Sequence, residues 1–335
     1  GAFEEIVSGA RPASVRGLIY RTDDGEIRKA DNRHLLDDLD SLPFPARDLL
    51  DNSLYVSPET GNPLTVIQGN RGCPSRCIFC PAGTLYGYRV RFRSPENIVL
   101  EIRECVEHYG IREFLFNGDT FTINKDWVLR LCALIREGGL DIHWGCNSRV
   151  DTFDTERAEA LKSAGCWVVA FGIESGVQEM LDRMKKNTRI EDAFRAVDAA
   201  RRAGLRTHAF YIIGLPWETR ETLAETLRFA RRLDTDFFDF NIAYPLPGTE
   251  YYEIALREGL FEDRDISEGS YARAAIRSHA LSSEDLTRWR RNALLGMYMR
   301  PGYIIRTLRQ ALKQHGAFGN YMRAGWRRLI SLLRF

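Results

Sequence analysis

Cys73, Cys77 and Cys80 are the residues of this 335-residue chain best suited to chemistry. They follow a short β-branched run over 64–68 and a glycine-containing turn, with the spacing C-x3-C-x2-C. Thiolates are soft ligands that bind iron–sulfur clusters or zinc. Structural zinc takes four protein ligands, whereas a four-iron cluster held by three cysteines keeps one iron open. No fourth ligand follows at a zinc-like spacing, which favours the cluster over zinc or buried thiols.

A repeating strand–loop–helix pattern positions this loop. Short runs rich in Val, Ile and Phe predict six strands, and amphipathic segments with capping residues such as Ser94, Asn124 and Asp154 predict helices between them. Right-handed crossovers then imply an α/β fold, a partial (β/α)6 parallel barrel whose chemistry lies where the strands end. The cysteine loop follows the first predicted strand and is therefore at that end. The predicted strands cover 64–68, 113–117, 142–147, 167–171, 206–213 and 237–243.

The chain divides into three predicted segments. Residues 1–60 are expected to be a linker with a small hairpin, residues 61–260 the core barrel, and residues 261–335 a helical, basic C-terminal extension. Helices are predicted over 283–299, 303–314 and 321–333. No apolar run has the length of a membrane span, and an odd number of seven cysteines argues against a disulfide scaffold. We therefore expect a cytoplasmic protein.

Charge is distributed unevenly along the chain. Its net charge is +1, yet eleven of the 47 Lys and Arg residues, and none of the 46 Asp and Glu, lie in 286–335. Residues 1–285 are left with a net charge of −10. The basic tail is expected either to pack on the acidic barrel or to contact an anionic membrane peripherally or a lipid substrate. Nucleic acid is the least favoured partner.

The three-cysteine pattern, with an aromatic residue before its last cysteine and six β/α units, resembles the radical S-adenosylmethionine (SAM) superfamily. The resemblance implies that Cys73, Cys77 and Cys80 bind three irons of a [4Fe–4S] cluster. The fourth iron would chelate the amino and carboxylate groups of SAM, and Phe79 would lie beside the adenine. A reductant such as flavodoxin or ferredoxin would feed the cluster, and the 5′-deoxyadenosyl radical formed from SAM would abstract a substrate hydrogen.

Later strand ends supply the other SAM contacts that the resemblance implies. After strand two, Asn117, Gly118 and Asp119 stand where the superfamily has a glycine-rich stretch that receives the methionine amino group. Here that stretch is Asn-Gly-Asp rather than Gly-Gly-Glu, so the correspondence is one of position. The remaining expected contacts are Ser148 for the ribose, Glu174 as a polar contact, Lys186 near the carboxylate, and Ile212 and Gly214 for the adenine.

Five further stretches resemble the group in which a cobalamin-binding domain precedes the barrel. That group includes methyltransferases of unactivated carbon, the anaerobic magnesium-protoporphyrin ester cyclase and hopanoid-lipid enzymes. The cobalamin motif Asp-x-His-x-x-Gly is missing from this sequence, so cobalamin is expected only if an upstream domain exists. Either the chain is a truncated piece or the enzyme works without cobalamin; we favour truncation because the linker remains. The stretches are 17–27, 37–48, 91–99, 172–176 and 244–249.

The expected function is radical SAM chemistry leading to C-methylation or to ring or skeleton formation on a small-molecule or lipid-like substrate. One alternative is a methylthiotransferase-type radical SAM enzyme, although the RNA-binding β-barrel expected after residue 250 is not in the pattern. Another is a non-enzymatic iron–sulfur or zinc module. The isolated cysteines are expected to pack in the core; they are Cys105, Cys132, Cys146 and Cys166.

Overall fold

The computed structural model describes residues 1–261, 271–313, 319–320, 323, 325–327 and 330. The chain forms two compact units, Gly1–Asp38 and Leu39–Phe335. In the first unit, helix α1 spans Ala2–Val7, and strands β1 (Ile19–Arg21) and β2 (Ile27–Lys29) pair antiparallel. This pairing confirms the predicted hairpin.

The second unit is built on a sheet that has seven strands in the described residues, in the order β4-β3-β5-β6-β7-β8-β9. The short β4 runs antiparallel to β3, and all other neighbours are parallel. The parallel strands confirm the α/β fold and the six predicted strands, whereas β4 is an addition that the sequence pattern does not predict. The strands are β3 (Leu64–Arg71), β4 (Arg91–Phe92), β5 (Glu113–Gly118), β6 (His143–Ser148), β7 (Cys166–Glu174), β8 (Arg206–Ile213) and β9 (Phe237–Ile242).

Helices connect the parallel strands, and side chains cap their first turns. Ser94, Asn124 and Asp154 each accept a hydrogen bond from a backbone N–H three residues later, as predicted. The short α2 and α6 are further additions. The helices of this unit are α2 (Ala82–Tyr86), α3 (Pro95–Tyr109), α4 (Lys125–Glu137), α5 (Thr155–Ser163), α6 (Gln178–Arg183), α7 (Ile190–Arg202), α8 (Arg220–Leu233), α9 (Glu250–Arg257), α10 (Ser283–Tyr298) and α11 (Pro301–Lys313).

The two faces of the sheet have different surroundings, because alternate strand residues point to opposite sides. One face packs on the helices, and buried Ile67, Phe116 and Trp144 belong to that core. The other face lines a cavity of about 230 Å³, which we call the bore. Since β3 and β9 border the same cavity, the sheet curls into the predicted partial barrel. The bore is lined from all six parallel strands by Leu64, Leu115, His143, Val168, His208 and Phe237, among others.

A buried ion-pair network joins the segment before β3 to the barrel. Glu101 of α3 is buried; its Oε1 accepts a hydrogen bond from Arg47 Nη2 at 2.6 Å, and its Oε2 accepts one from Arg93. Arg47 also donates to the carbonyl of Val66, at 3.2 Å. Arg47 is thereby buried against the first parallel strand, within the unit Leu39–Phe335.

The described part of the C-terminal extension packs on the last strand. Arg290 of α10 donates to the carbonyl of Phe240 at 2.6 Å, and Tyr303 of α11 packs against Phe238. The predicted helix over 321–333 lies largely outside the described residues. No helix in the described part of the chain has both the length and the apolar character to cross a membrane.

Replacing Glu101 with Gln should destabilise the protein strongly, since it leaves Arg47 and Arg93 buried without a countercharge. Breaking a buried pair from one side typically costs about 3–5 kcal/mol. The free energy of unfolding, from urea titrations, measures the effect. Glu96→Gln is the matched control, because Glu96 pairs with Arg130 at 3.0 Å in an exposed position; such pairs contribute about 1 kcal/mol or less. Equal losses in the two variants would contradict the role of the network.

Candidate functional site

The cysteine loop leaves β3 through Gly72, whose conformation only glycine adopts easily. Its φ is +93°, and a Cβ there would lie 2.2 Å from the carbonyl oxygen of Arg89. The Gly72 N–H donates to Asp119 Oδ2 at 2.6 Å. Burial raises the pKa of Asp119, against the lowering effect of that hydrogen bond and of nearby Arg71. The loop is thereby tied to the end of β5 at its first residue.

Ile78, in the middle of the loop, makes two backbone hydrogen bonds that hold the cysteines in place. Its N–H donates to the carbonyl of Met184 at 3.1 Å, and its carbonyl accepts from the Tyr251 N–H at 2.9 Å. Its side chain lies in a second apolar cluster with Met184, Leu215 and Tyr251, against which Phe79 packs. The loop is therefore held between the segment after β7 and the start of α9.

The three thiols differ in exposure and share an electrostatic environment. Cys73 is buried, Cys77 half-buried and Cys80 exposed. Burial raises the pKa of Cys77, while the positive charges of Lys186 and Arg149 act to lower it. Burial also raises the pKa of Cys80, and the two neighbouring thiols raise it further. Thiolates so close together need positive charge between them, which a bound metal centre would supply.

The types of donor on this loop suit an iron–sulfur cluster. Thiolates are soft ligands that bind such clusters, in which each cysteine binds a different iron. The donor set, three cysteines on one loop, fits the cluster.

A buried ion pair stands beside the thiols. Lys186 Nζ lies 2.6 Å from Glu174 Oε1, and both side chains are almost inaccessible. Glu174 has a φ of +68°, an uncommon conformation for a non-glycine residue that marks a constrained site. A Cβ on Gly172 would lie 2.5 Å from Glu174 Oε1, so the pair needs glycine there. Arg149 donates to the Lys186 carbonyl at 2.8 Å and so brings the end of β6 to the same place.

The end of β5 contacts both of its neighbouring strands. Asn70 of β3 donates to the Thr120 carbonyl at 3.1 Å, and a Cβ on Gly118 would lie 2.7 Å from Asn70 Oδ1. Asn147 of β6 donates to the Gly118 carbonyl at 2.7 Å. The backbone of the Asn-Gly-Asp stretch is thus held from both sides, and Asn117 is exposed.

At the end of β6, the two neighbouring polar residues Asn147 and Ser148 have different surroundings. The Ser148 hydroxyl is hydrogen-bonded to Thr122 at 2.6 Å and donates to the Arg149 carbonyl, so its bonding capacity is used within the protein. The neighbouring Asn147 points to the other side of the strand. Its Oδ1 is buried and, among the described residues, has no hydrogen-bond donor. Such atoms are rare and commonly mark binding sites.

The end of β8 is held by a buried carboxyl group that sequence reasoning did not identify. The Gly214 N–H donates to Glu218 Oε2 at 3.3 Å, and the Gly214 carbonyl accepts from the Tyr251 hydroxyl at 3.2 Å. Burial raises the pKa of Glu218 to about 7. Ile212 packs against the second apolar cluster. Gly214 is therefore fixed on both of its backbone groups.

Most of the predicted site residues gather at the top, the edge where the parallel strands end. Sequence reasoning missed Asn70 and Arg149, which bond to backbone groups 50 and 37 residues away, and Glu218, whose burial no local pattern indicates. The isolated cysteines are buried in the core, as expected. The predicted site residues that come together are Cys73, Cys77, Phe79, Cys80, Gly118, Asp119, Glu174, Lys186, Ile212 and Gly214, with Ser148 turned away.

The fold and the site define a partial-barrel α/β protein with a loop of three thiols at its top. The profile of the radical SAM superfamily matches residues 67–230, from β3 into α8. An uncharacterized methyltransferase of Pyrococcus horikoshii is 34% identical over 318 residues, which cover 94% of this chain and 68% of that protein. The chain belongs to the radical SAM superfamily. It is therefore an enzyme of a family that uses a [4Fe–4S] cluster and SAM, not an electron carrier or a zinc module.

Two other comparisons involve longer proteins. The anaerobic magnesium-protoporphyrin IX monomethyl ester cyclase of Rubrivivax gelatinosus is 28% identical over 71% of this chain, which spans 43% of the cyclase. The structure of OxsB, a cobalamin-dependent S-adenosylmethionine radical enzyme with aqua-cobalamin bound, aligns with a TM-score of 0.68 and 16% identity. The alignment covers 98% of this chain and 54% of the OxsB chain. That likeness concerns the fold.

Gly72→Ala should reduce cluster loading, because the added Cβ collides with the Arg89 carbonyl and displaces the loop that carries the thiols. We expect at least a severalfold drop in iron bound per chain after anaerobic reconstitution, measured by iron and sulfide analysis. Gly139→Ala is the control: its φ is also positive, at +59°, but a Cβ there meets nothing within 4 Å. Normal loading of Gly72→Ala would show that the loop tolerates the shift.

Glu218→Gln should remove a pH dependence of stability. The pKa of Glu218 is about 7 in the folded protein and ordinarily 4.5. The folded state therefore holds this proton more tightly than the unfolded state does. The stability that the protonated Glu218 contributes is complete below pH 4.5 and is lost as the pH rises through 7. The loss amounts to up to about 3 kcal/mol.

Urea unfolding at pH 5 and pH 7.5 measures this difference. The wild type should lose more stability across the interval than Glu218→Gln. The exposed neighbour Glu221, changed to Gln, serves as the control and should keep the wild-type slope. Identical slopes for Glu218→Gln and the wild type would refute the assignment.

Proposed function

We propose that this enzyme uses a 5′-deoxyadenosyl radical to abstract hydrogen from a small or lipid-like substrate, leading to C-methylation or to ring or skeleton formation. The observation that carries the proposal is the meeting of three thiols with a buried Glu174–Lys186 pair at the top of the barrel. Active sites of such barrels lie at this edge. The methyltransferase and the cyclase found among its relatives support these two outcomes.

Cys73, Cys77 and Cys80 are the proposed cluster ligands. The cluster, when bound, supplies the electron that cleaves SAM. The chain contributes a loop held at Gly72 and Ile78, so that the thiols are positioned before the cluster binds. Lys186 and Arg149 add positive charge beside Cys77, which stabilises its thiolate. A flavodoxin or ferredoxin is the proposed source of electrons.

The proposed SAM contacts follow from the groups available around the thiols. Lys186 is suited to the carboxylate and Asp119, with the backbone at Gly118, to the amino group. The buried Oδ1 of Asn147 can accept from a ribose hydroxyl, which makes Asn147 a better candidate than Ser148. Glu174 orients Lys186 at 2.6 Å. Phe79, Ile212 and Gly214 offer an apolar edge and a fixed backbone for the adenine.

Cobalamin is a proposed methyl carrier only where the reaction is methylation. Support comes from the fold shared with OxsB, which binds aqua-cobalamin. The residues of this sequence do not match the cobalamin motif, so none of them is assigned to that cofactor.

Cys77→Ala should abolish SAM cleavage, because removal of one thiolate leaves one iron of the cluster without its protein ligand. Anaerobically reconstituted protein is incubated with SAM and dithionite, with and without cobalamin, and 5′-deoxyadenosine is measured by chromatography. We expect the wild type to form it and Cys77→Ala to form at least about 100-fold less, because an incomplete ligand set retains little intact cluster.

Cys105→Ala is the matched control, since it removes a buried thiol of α3 away from the loop. It should retain cleavage and the cluster absorbance. Circular dichroism confirms that each variant is folded. Undiminished 5′-deoxyadenosine from folded Cys77→Ala would overturn the assignment of the cluster ligands.

A further inference from the structure

Helix α11 carries an apolar stripe that faces outward. Ile305, Leu308 and Leu312 recur at helical spacing along one side, and they are 49%, 40% and 70% exposed. Ile304 beside them is 37% exposed. Arg309 is exposed at the edge of the stripe. An exposed apolar stripe flanked by a basic residue is typical of helices that lie in a membrane interface.

The opposite side of α11 anchors it to the barrel. Tyr303 packs edge-on against Phe238 at 5.5 Å between ring centroids, and Arg306 Nη1 donates to Asp234 Oδ2 at 2.5 Å. Arg300 also lies 3.5 Å from Asp234. The stripe is therefore a fixed surface of the folded unit rather than the side of a loose tail.

These anchors place α11 at the base, the edge where the parallel strands begin. Asp234 and Phe238 flank the start of β9. The described residues of the chain beyond α11 also reach the base: a Cβ on Gly61, just before β3, would lie 3.2 Å from Asn320 Nδ2. Arg323, Trp326 and the neighbouring Arg327 are exposed there. The base thus combines apolar and basic side chains.

Charge selects the partner of this surface. Residues 286–335 contain eleven Arg and Lys and no acidic residue, whereas residues 1–285 have a net charge of −10. An anionic surface attracts the tail and repels the remainder of the molecule. A neutral apolar partner would not interact favourably with this positive charge. Nucleic acid would not interact favourably with the apolar stripe.

We propose that α11 and the basic residues after it dock the base of the barrel on an anionic lipid bilayer. Docked in this way, the strand starts that line the bore face the membrane, and Leu115 in its lining is 46% exposed. The enzyme would then lie at the surface that holds a lipid-like substrate. This link to the substrate rests on the proposed function, whereas membrane docking does not.

Co-sedimentation of the full chain with vesicles tests the docking. Vesicles of phosphatidylglycerol and phosphatidylcholine should bind the protein at least tenfold more strongly than vesicles of phosphatidylcholine alone, and added NaCl should weaken binding. Leu308→Asp/Leu312→Asp should lower partitioning at least tenfold. Leu100→Asp/Leu256→Asp is the matched control, since both leucines are 58% exposed and the charge change is identical.

The proposal would be overturned if the protein showed no preference for anionic vesicles, or if the two double variants lost vesicle binding equally. It would also be overturned if the protein were a dimer that only the α11 substitutions dissociate, or if it bound RNA but not vesicles. Formation of 5′-deoxyadenosine is measured on the same preparations. If SAM cleavage fails while vesicle binding and its loss in the α11 variant persist, the proposed function falls and the docking stands.

Discussion

Two backbone hydrogen bonds at Ile78 constrain the site more than any side chain does. Its N–H donates to Met184 and its carbonyl accepts from Tyr251, while six residues earlier Gly72 donates to Asp119. Met184 lies after β7, Tyr251 after β9 and Asp119 after β5. Three thiols on a loop with no regular structure are thus positioned by three separate strands, and their spacing depends on the register of the whole sheet. A loop fixed in this way loses little conformational entropy when it binds a cluster.

The same dependence explains which parts of the fold could be predicted from the sequence. Helix starts at Ser94, Asn124 and Asp154 were predictable because the capping side chain accepts from a backbone N–H only three residues later. The six parallel strands were predictable because each is a buried apolar run. Strand β4 has two residues, and it pairs only because Arg91 and Phe92 meet the end of β3. A strand of two residues leaves no sequence pattern that distinguishes it from a turn.

The site was predictable in residue type and in position along the chain, but not in the direction of every side chain. Ser148 and Asn147 are neighbours, and which of them faces the bore depends on the register of β6 against β7, where the pairing shifts between Trp144 and Gly145. Glu218 holds Gly214, and Glu101 pairs with Arg47, 54 residues away. Burial decides these contacts, and burial is set by elements that are distant in sequence.

The two ends of the parallel sheet have opposite requirements, and the chain meets each with different segments. At the top, charged groups beside the thiols are paired: Lys186 with Glu174, both buried, and Arg149 with the exposed Asp151. The base has no such constraint, because strand starts in these barrels do not carry the chemistry. Exposed apolar and basic side chains can therefore accumulate there without disturbing the pKa of any group at the top. The bore is lined near the strand starts, by residues such as Leu64 and Phe237, so it belongs to the base and not to the thiol edge.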